Sequence, residues 1–176
     1  MLNRKLLILL LVLFFYCGYA FASVDSSFKL EKKYISMKKP KIAEMIVSEG
    51  IGKYPKSIKL IYLRGKIRAD WLFKNALALI DYNMVIKISP NYSRKIYWRI
   101  GDLYYSYAKY SVAIKYYTKC LSLMPKNDKV YLKRAKALIK LGRKQEAIRD
   151  VERCLIINPA YKILARKILS EDFKLN

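Results

Sequence analysis

Four prolines, Pro55, Pro90, Pro125 and Pro159, stand 35, 35 and 34 residues apart. Twelve residues before each is an alanine: Ala43, Ala78, Ala113 and Ala147. Four residues before each is a branched aliphatic: Ile51, Ile86, Leu121 and Leu155. Three residue types recurring in one register at this interval predict stacked helical hairpins. A single hairpin of this size cannot bury its own apolar face, so each needs its neighbours. The predicted class is all-α, and arrays of this kind mostly serve as binding surfaces.

Residues 94–127 form the clearest unit. Tyr97, Ile100, Gly101 and Tyr104 lie at i, i+3, i+4 and i+7, one face of a first helix. Gly101 removes a side chain where another helix has to come close. A turn is expected near Ala108-Lys109-Tyr110, followed by a second helix carrying Ala113, Tyr117, Cys120 and Leu121. Pro125 stops that helix, and Asn127 or Asp128 caps the next. The next unit is 128–161. Its first helix uses Tyr131, Ala135 and Leu138 and ends at Leu141-Gly142, with Gly142 suited to a left-handed turn. Its second helix uses Ala147, Val151, Cys154 and Leu155. Arg134 occupies an aliphatic position, with its stem expected to pack and its charge to reach water.

Residues 58–92 are a weaker copy, with Gly65 one place early, so one extra residue is expected in the turn near Trp71 to Asn75. Residues 24–57 are weaker still; Pro40 suits the first turn of their second helix. After Pro159, a stripe of Tyr161, Leu164, Ala165, Ile168 and Leu169 predicts a cap helix over about 160–173.

The residues Tyr97, Ile100, Gly101, Tyr104, Ala113, Tyr117 and Pro125 fall at the positions of W-x2-L-G-x2-Y, A-x3-F and P. In this the chain resembles the tetratricopeptide repeat, with Tyr in place of Trp and Phe. The resemblance covers about residues 24–173. It implies a right-handed α-solenoid of about four hairpins plus the cap helix, and a concave groove lined by the first helix of each hairpin.

The N-terminus reads as an export signal. Met1 to Lys5 carry Arg4 and Lys5, Leu6 to Tyr16 are apolar, and Ala20-Phe21-Ala22 precedes Ser23. Cleavage after Ala22 leaves 23–176 as the repeat domain. The rival reading is a retained anchor, since Leu6–Ala22 gives 17 uncharged residues, the lower limit for crossing a bilayer. Export predicts a periplasmic or secreted protein; retention predicts one held at the inner membrane. Cys17 reads as an ordinary apolar residue, because Phe14-Phe15-Tyr16 is too bulky for a lipoprotein signal.

Without the signal, 34 basic residues face 13 acidic ones. That excess favours anionic partners. An acidic protein or peptide ranks first, anionic lipid or cell-wall polymer next, and nucleic acid last, given the signal. Cys120 and Cys154 are equivalent sites on neighbouring hairpins, too far apart for a bridge and better read as buried thiols. The chain has no histidine, which removes His-based nucleophilic catalysis and the commonest metal ligand. Carboxylate pairs such as Glu44 and Glu49, or Glu146 and Asp150, read as exposed and unburied. No enzyme, cofactor or metal site is predicted.

Lys129, Lys133, Lys136 and Lys140 recur at i, i+4, i+7 and i+11, a face distinct from that of Tyr131, Ala135 and Leu138. The matching row on the preceding first helix is Lys95, Arg99, Asp102 and Ser106, bordered by Trp98 and Tyr105. With Leu132 beside the lysines, these residues make up the predicted groove lining. Trp98 is the expected anchor. Asp102, three residues away, is expected to neutralise Arg99 in part. Tyr105, Tyr107 and Tyr116 lie off the packing stripe and are contact candidates, whereas Tyr97, Tyr104, Tyr117 and Tyr131 read as core. The bland alternative is a solvated face on a lysine-rich protein.

The expected function is a non-enzymatic interaction adaptor of the bacterial cell envelope that takes an acidic segment in a basic groove. The alternatives are a peripheral protein held by charge to anionic lipid or polymer, and a helper in pilus or secretin assembly.

Overall fold

In the computed structural model, residues 26, 29 and 32–171 are described; the predicted signal and its cleavage site lie outside them. The chain divides after Ser89 into two compact units. The first runs through a helical stretch at 32–36, α1 (Pro40–Lys53), α2 (Ile58–Asp70) and α3 (Asn75–Ile88). The second contains α4 (Lys95–Ser106), α5 (Tyr110–Leu123), α6 (Asp128–Lys140), α7 (Lys144–Ile157), a 3-10 turn at Pro159–Tyr161 and α8 (Lys162–Glu171). No strand occurs among the described residues.

The periodic prolines act as stops. Each stands two residues past the end of a second helix, after Lys53, Ile88, Leu123 and Ile157. Proline lacks the N–H that a further turn needs, and its ring clashes with the carbonyl one turn back. Pro40 opens α1, where that N–H has no helical partner to lose. Asn127 caps α6, its side-chain oxygen accepting from Val130 N at 3.3 Å.

The turns inside the first, third and fourth hairpins share one geometry. In the fourth, Gly142 N donates to Ile139 O at 2.8 Å and Arg143 N to Leu138 O at 3.0 Å. This satisfies two orphan carbonyls of α6 and requires a left-handed residue, which Gly142 provides at φ 70°. The third hairpin repeats the bonds with Ala108 and Lys109, and Ala108 pays for it with φ 55°. Between α2 and α3 the turn is Trp71 to Lys74, one residue longer than 107–109 or 141–143, as the early Gly65 requires.

The four register alanines are fully buried, and so are Tyr82 and Tyr117. A Cβ on Gly101 would stand 2.5 Å from Tyr117 Cε1, and one on Gly65 2.7 Å from Tyr82 Cε1. The missing side chain is what lets each first helix accept a tyrosine ring from its second helix. In the first unit, Ala43, Val47, Leu60, Leu63 and Ile67 form a core that Tyr34, Ile35, Ile51 and Leu72 extend. On α8, Ala165 and Ile168 are buried, but Leu164 is exposed. The apolar stripe on this last helix is therefore narrower than its sequence pattern.

Two expectations about charge are corrected. Arg134 does not send its head to water: Nε and Nη2 each donate to Asp150 at 2.7 Å, and Nη1 donates to Thr118 at 2.9 Å. Nor are the carboxylates uniformly exposed, because Glu44 and Asp150 are buried and Asp81 is completely so. Asp81 accepts from Arg64 at 2.7 Å and Arg68 at 2.8 Å, while Glu44 accepts from Arg68 at 2.7 Å and Lys74 at 2.6 Å. These bonds tie α1, α2 and α3 together. At Glu44 burial favours the neutral carboxylic acid, and the bonds and charges of Lys74 and Arg68 outweigh it.

Candidate interaction site

The second unit brings together part of the predicted lining. A hollow of about 260 Å³ lies between α4 and α6, walled by Asp102, Tyr105, Tyr117, Lys133 and Lys136. Asp102 is its centre. Its Oδ2 accepts from Lys133 Nζ at 2.7 Å and its Oδ1 from the Tyr117 hydroxyl at 2.7 Å. The carboxylate thus bonds across to α5 and α6.

Lys133 has a second neighbour: its Nζ lies 5.2 Å from the centroid of the Trp98 ring, and the Arg99 guanidinium carbon lies 4.9 Å from the same ring. Both fall within the range where a ring face attracts a cation. Trp98 therefore organises two positive groups at the edge of the hollow. Tyr105 meets Tyr110 edge to face, with centroids 5.2 Å apart. Tyr116, expected to be available for contact, is instead stacked on Tyr104 at 5.5 Å with the planes 15° apart. Tyr107 is exposed.

Leu132 is removed from the lining. Only 4% of it is exposed, so it belongs to the core. Tyr131, expected in the core, is half-exposed, with the Arg134 guanidinium 5.8 Å from its ring. Lys95, Lys129 and Lys140 are exposed on α4 and α6 but are not part of the wall. Within the wall, Asp102 neutralises Lys133, and exposed Lys136 supplies the remaining positive charge.

The titration of the surrounding groups follows burial. Burial raises the Tyr117 phenol far above its ordinary range, and the adjacent Asp102 carboxylate raises it further. The phenol is therefore a fixed donor to Asp102. Burial also lifts the thiols of Cys120 and Cys154 to about 11, so both stay protonated at neutral pH. Each is a free, buried cysteine, as their equivalent register positions suggest. Sequence reasoning missed Tyr117 as a site residue, because its ring is core and only its hydroxyl reaches the hollow.

The tetratricopeptide repeat pattern matches residues 95–127 and 128–161, the two hairpins that form this hollow. Those two hairpins are tetratricopeptide repeats, and the chain has the all-α solenoid fold of proteins built from such repeats. A solved tetratricopeptide repeat protein from Parabacteroides merdae superposes with a TM-score of 0.77 at 19% identity, over 87% of this chain and 61% of that one. MamA from Desulfovibrio magneticus RS-1 gives a TM-score of 0.73 at 14% identity, over 87% and 94% of the two chains. Identities this low establish shared fold alone. Human DnaJ homolog subfamily C member 7 is 36% identical over 61 residues, 35% of this chain and 12% of that protein. Hsp70-Hsp90 organizing protein 2 of Arabidopsis thaliana is 31% identical over 61 residues, 35% and 11% of the two chains. The match thus spans little more than a tenth of the length of either relative.

Proposed function

We propose that this tetratricopeptide repeat protein is a non-enzymatic adaptor that binds an acidic segment of a partner protein between α4 and α6. The observation that carries the reading is the hollow walled by Asp102, Tyr105, Lys133 and Lys136 on first helices, with Tyr117 from α5, in hairpins that match the repeat pattern. The pairing of Lys133 with Asp102 gives it a specific chemistry. An incoming carboxylate competes with Asp102 for Lys133 while Lys136 attracts it from solvent. Trp98, flanked by Arg99 and Lys133, supplies an amphipathic edge for an apolar neighbour of that carboxylate. Relatives named as organizing proteins for Hsp70 and Hsp90 support partner binding as the general role. The apolar run Leu6–Ala22 and its Ala20-Phe21-Ala22 exit support action in the cell envelope.

The test is a titration of fluorescent acidic and neutral peptides at salt from about 50 to about 500 mM, a span over which exposed charges become screened. Acidic peptides should bind more tightly and lose affinity steeply with salt, and Lys133→Glu with Lys136→Glu should abolish the preference. Equal affinity for both peptides, or no effect of the double variant, overturns the proposal. The intact mass of the protein recovered from cells checks the predicted cut after Ala22.

A further inference from the structure

The outer face of α3 is apolar. Leu77, Ile80, Met84 and Ile88 are 40%, 62%, 42% and 44% exposed. Their spacing of i, i+3, i+7 and i+11 places them in one stripe. The other exposed positions of this helix, Ala76, Asn83 and Lys87, carry a single charge. On α1, Ile42 and Met45 stand at the register positions of Leu77 and Ile80 and are also exposed. The turn leading into α3 adds exposed Trp71 and Phe73.

The repeat architecture does not require this. Counted from the register alanines, Ile80 and Met84 correspond to Lys115 and Lys119 on α5 and to Arg149 and Arg153 on α7, all exposed. The same places are solvated charges in the second unit and bare hydrocarbon in the first. An apolar stripe of this extent on one helix marks a surface that meets something other than water.

The charge of the first unit selects the occupant. In the first unit, Glu44 and Asp81 are used up by Arg64, Arg68 and Lys74. Among the described side chains of this unit, the exposed carboxylates Glu49 and Asp70 are outnumbered by exposed Lys38, Lys39, Lys41, Lys53, Lys56 and Lys87. A second copy docked here would bring lysine against lysine, whereas an anionic bilayer surface attracts each of them. An apolar face on a helix, in a unit whose exposed charges are mostly lysines, with aromatics in the turn that leads into it, is the pattern of a helix lying in a membrane interface. Among the described residues no helix is long and apolar enough to cross a membrane, so the contact is with the surface.

We propose that the outer face of α3, with Met45, Trp71 and Phe73, inserts into the headgroup boundary of an anionic bilayer. The contact uses residues remote in sequence from the α4–α6 hollow and stands independently of the partner proposed there.

Trp71 is the reporter. With Trp98→Phe it is the only tryptophan of the chain. The full chain is reconstituted with phosphatidylglycerol–phosphatidylcholine vesicles containing lipids brominated close to the headgroup, and Trp71 emission is measured. Strong quenching is expected, falling severalfold in Ile80→Lys with Met84→Lys. That pair introduces the residue type already present at Lys115 and Lys119, so it suits the fold, and it adds attraction to the anionic surface. Purely electrostatic adsorption predicts quenching that holds or grows in this variant, which overturns insertion. Absence of quenching in the Trp98→Phe chain also overturns it, as does a concentration-dependent dimer in sedimentation that the same substitutions dissolve.

Discussion

Arg134 grips both carboxylate oxygens of Asp150 at 2.7 Å, and Arg64 holds Asp81 in the same manner at 2.7 and 3.2 Å. The two pairs occupy matching register: each arginine immediately precedes the close-approach position, Gly65 or Ala135, and each aspartate follows a register alanine by three residues. The third hairpin has Ile100 and Tyr116 at those places. The repeat thus admits two solutions at one location, a buried ion pair or an apolar pair. A buried pair repays its own desolvation only while complete.

Asp150→Asn should therefore destabilise the protein by about 3–5 kcal/mol, because it leaves Arg134 buried against a neutral group. Arg134→Ile with Asp150→Tyr installs the pair of the third hairpin and should recover most of that loss. Urea unfolding of the three proteins decides the matter. A double variant no more stable than Asp150→Asn would show that the two solutions are not interchangeable.

The features readable from sequence are those that depend on local backbone demands. Pro55, Pro90, Pro125 and Pro159 stop helices whatever surrounds them. Gly142 serves a left-handed turn, and the early Gly65 forces a longer loop. Burial of charge is different, because it depends on a partner 16 or 17 residues away. Arg134 alone looks like an exposed residue with a packed stem. Only the parallel with Arg64, and of Asp81 with Asp150, carried a signal, and it required comparing hairpins rather than reading one. The site divides along the same line. Asp102, Tyr105, Lys133 and Lys136 were legible because helical spacing sets which side chains share a face. The bonds of Asp102 to Tyr117 and Lys133 were not, since those residues are near it in space and far from it in sequence. Leu132 adjoins the lysine row in sequence, but one residue turns a helix by about 100°, and that step takes it into the core.

Gly101 and Tyr117 form a size-matched pair. Gly101→Ala puts a Cβ against a fully buried ring and should cost about 1–3 kcal/mol, the usual penalty for overpacking. In the fourth hairpin the corresponding residues are Ala135 and Val151, a larger residue facing a smaller one. Adding Tyr117→Val to Gly101→Ala should then cost less than the sum of the two single changes, by chemical denaturation. Strict additivity would count against the contact.

The charge network of the first unit gives a pH dependence. Burial pushes the Glu44 carboxyl up, but hydrogen bonds and charge from Lys74 and Arg68 outweigh it and hold the group below its usual 4.5. A carboxyl depressed on folding contributes its full stability above the unfolded value and loses it as pH falls through the folded one. Glu44→Gln should thus be less stable than the parent at pH 7, by about 1–3 kcal/mol for a lost charged partner. The difference should shrink below about pH 4.5, where the parent also becomes protonated. Melting temperatures across pH 3 to 7 on the two proteins measure this, and a constant gap would rule out Glu44 as the source.

Asp102 restrains the α4–α6 hollow, and its removal tests what the hollow attracts. In Asp102→Asn the Tyr117 hydroxyl keeps an acceptor, while Lys133 loses its carboxylate. The pair is part-exposed, with side chains 37% and 31% accessible, so stability should change by no more than about 1 kcal/mol. The electrostatic change is larger: one negative charge disappears and the Lys133 ammonium is freed for an incoming group. If the hollow takes acidic segments, affinity for an acidic peptide should rise by roughly threefold to tenfold at low salt, as an added unpaired charge at contact distance allows. The gain should fade by about 500 mM salt, where the screening length is a few ångströms. A neutral peptide should bind the variant and the parent alike. Weaker binding of the acidic peptide to Asp102→Asn would mean that Asp102 itself receives the ligand, and the partner sought would then be basic.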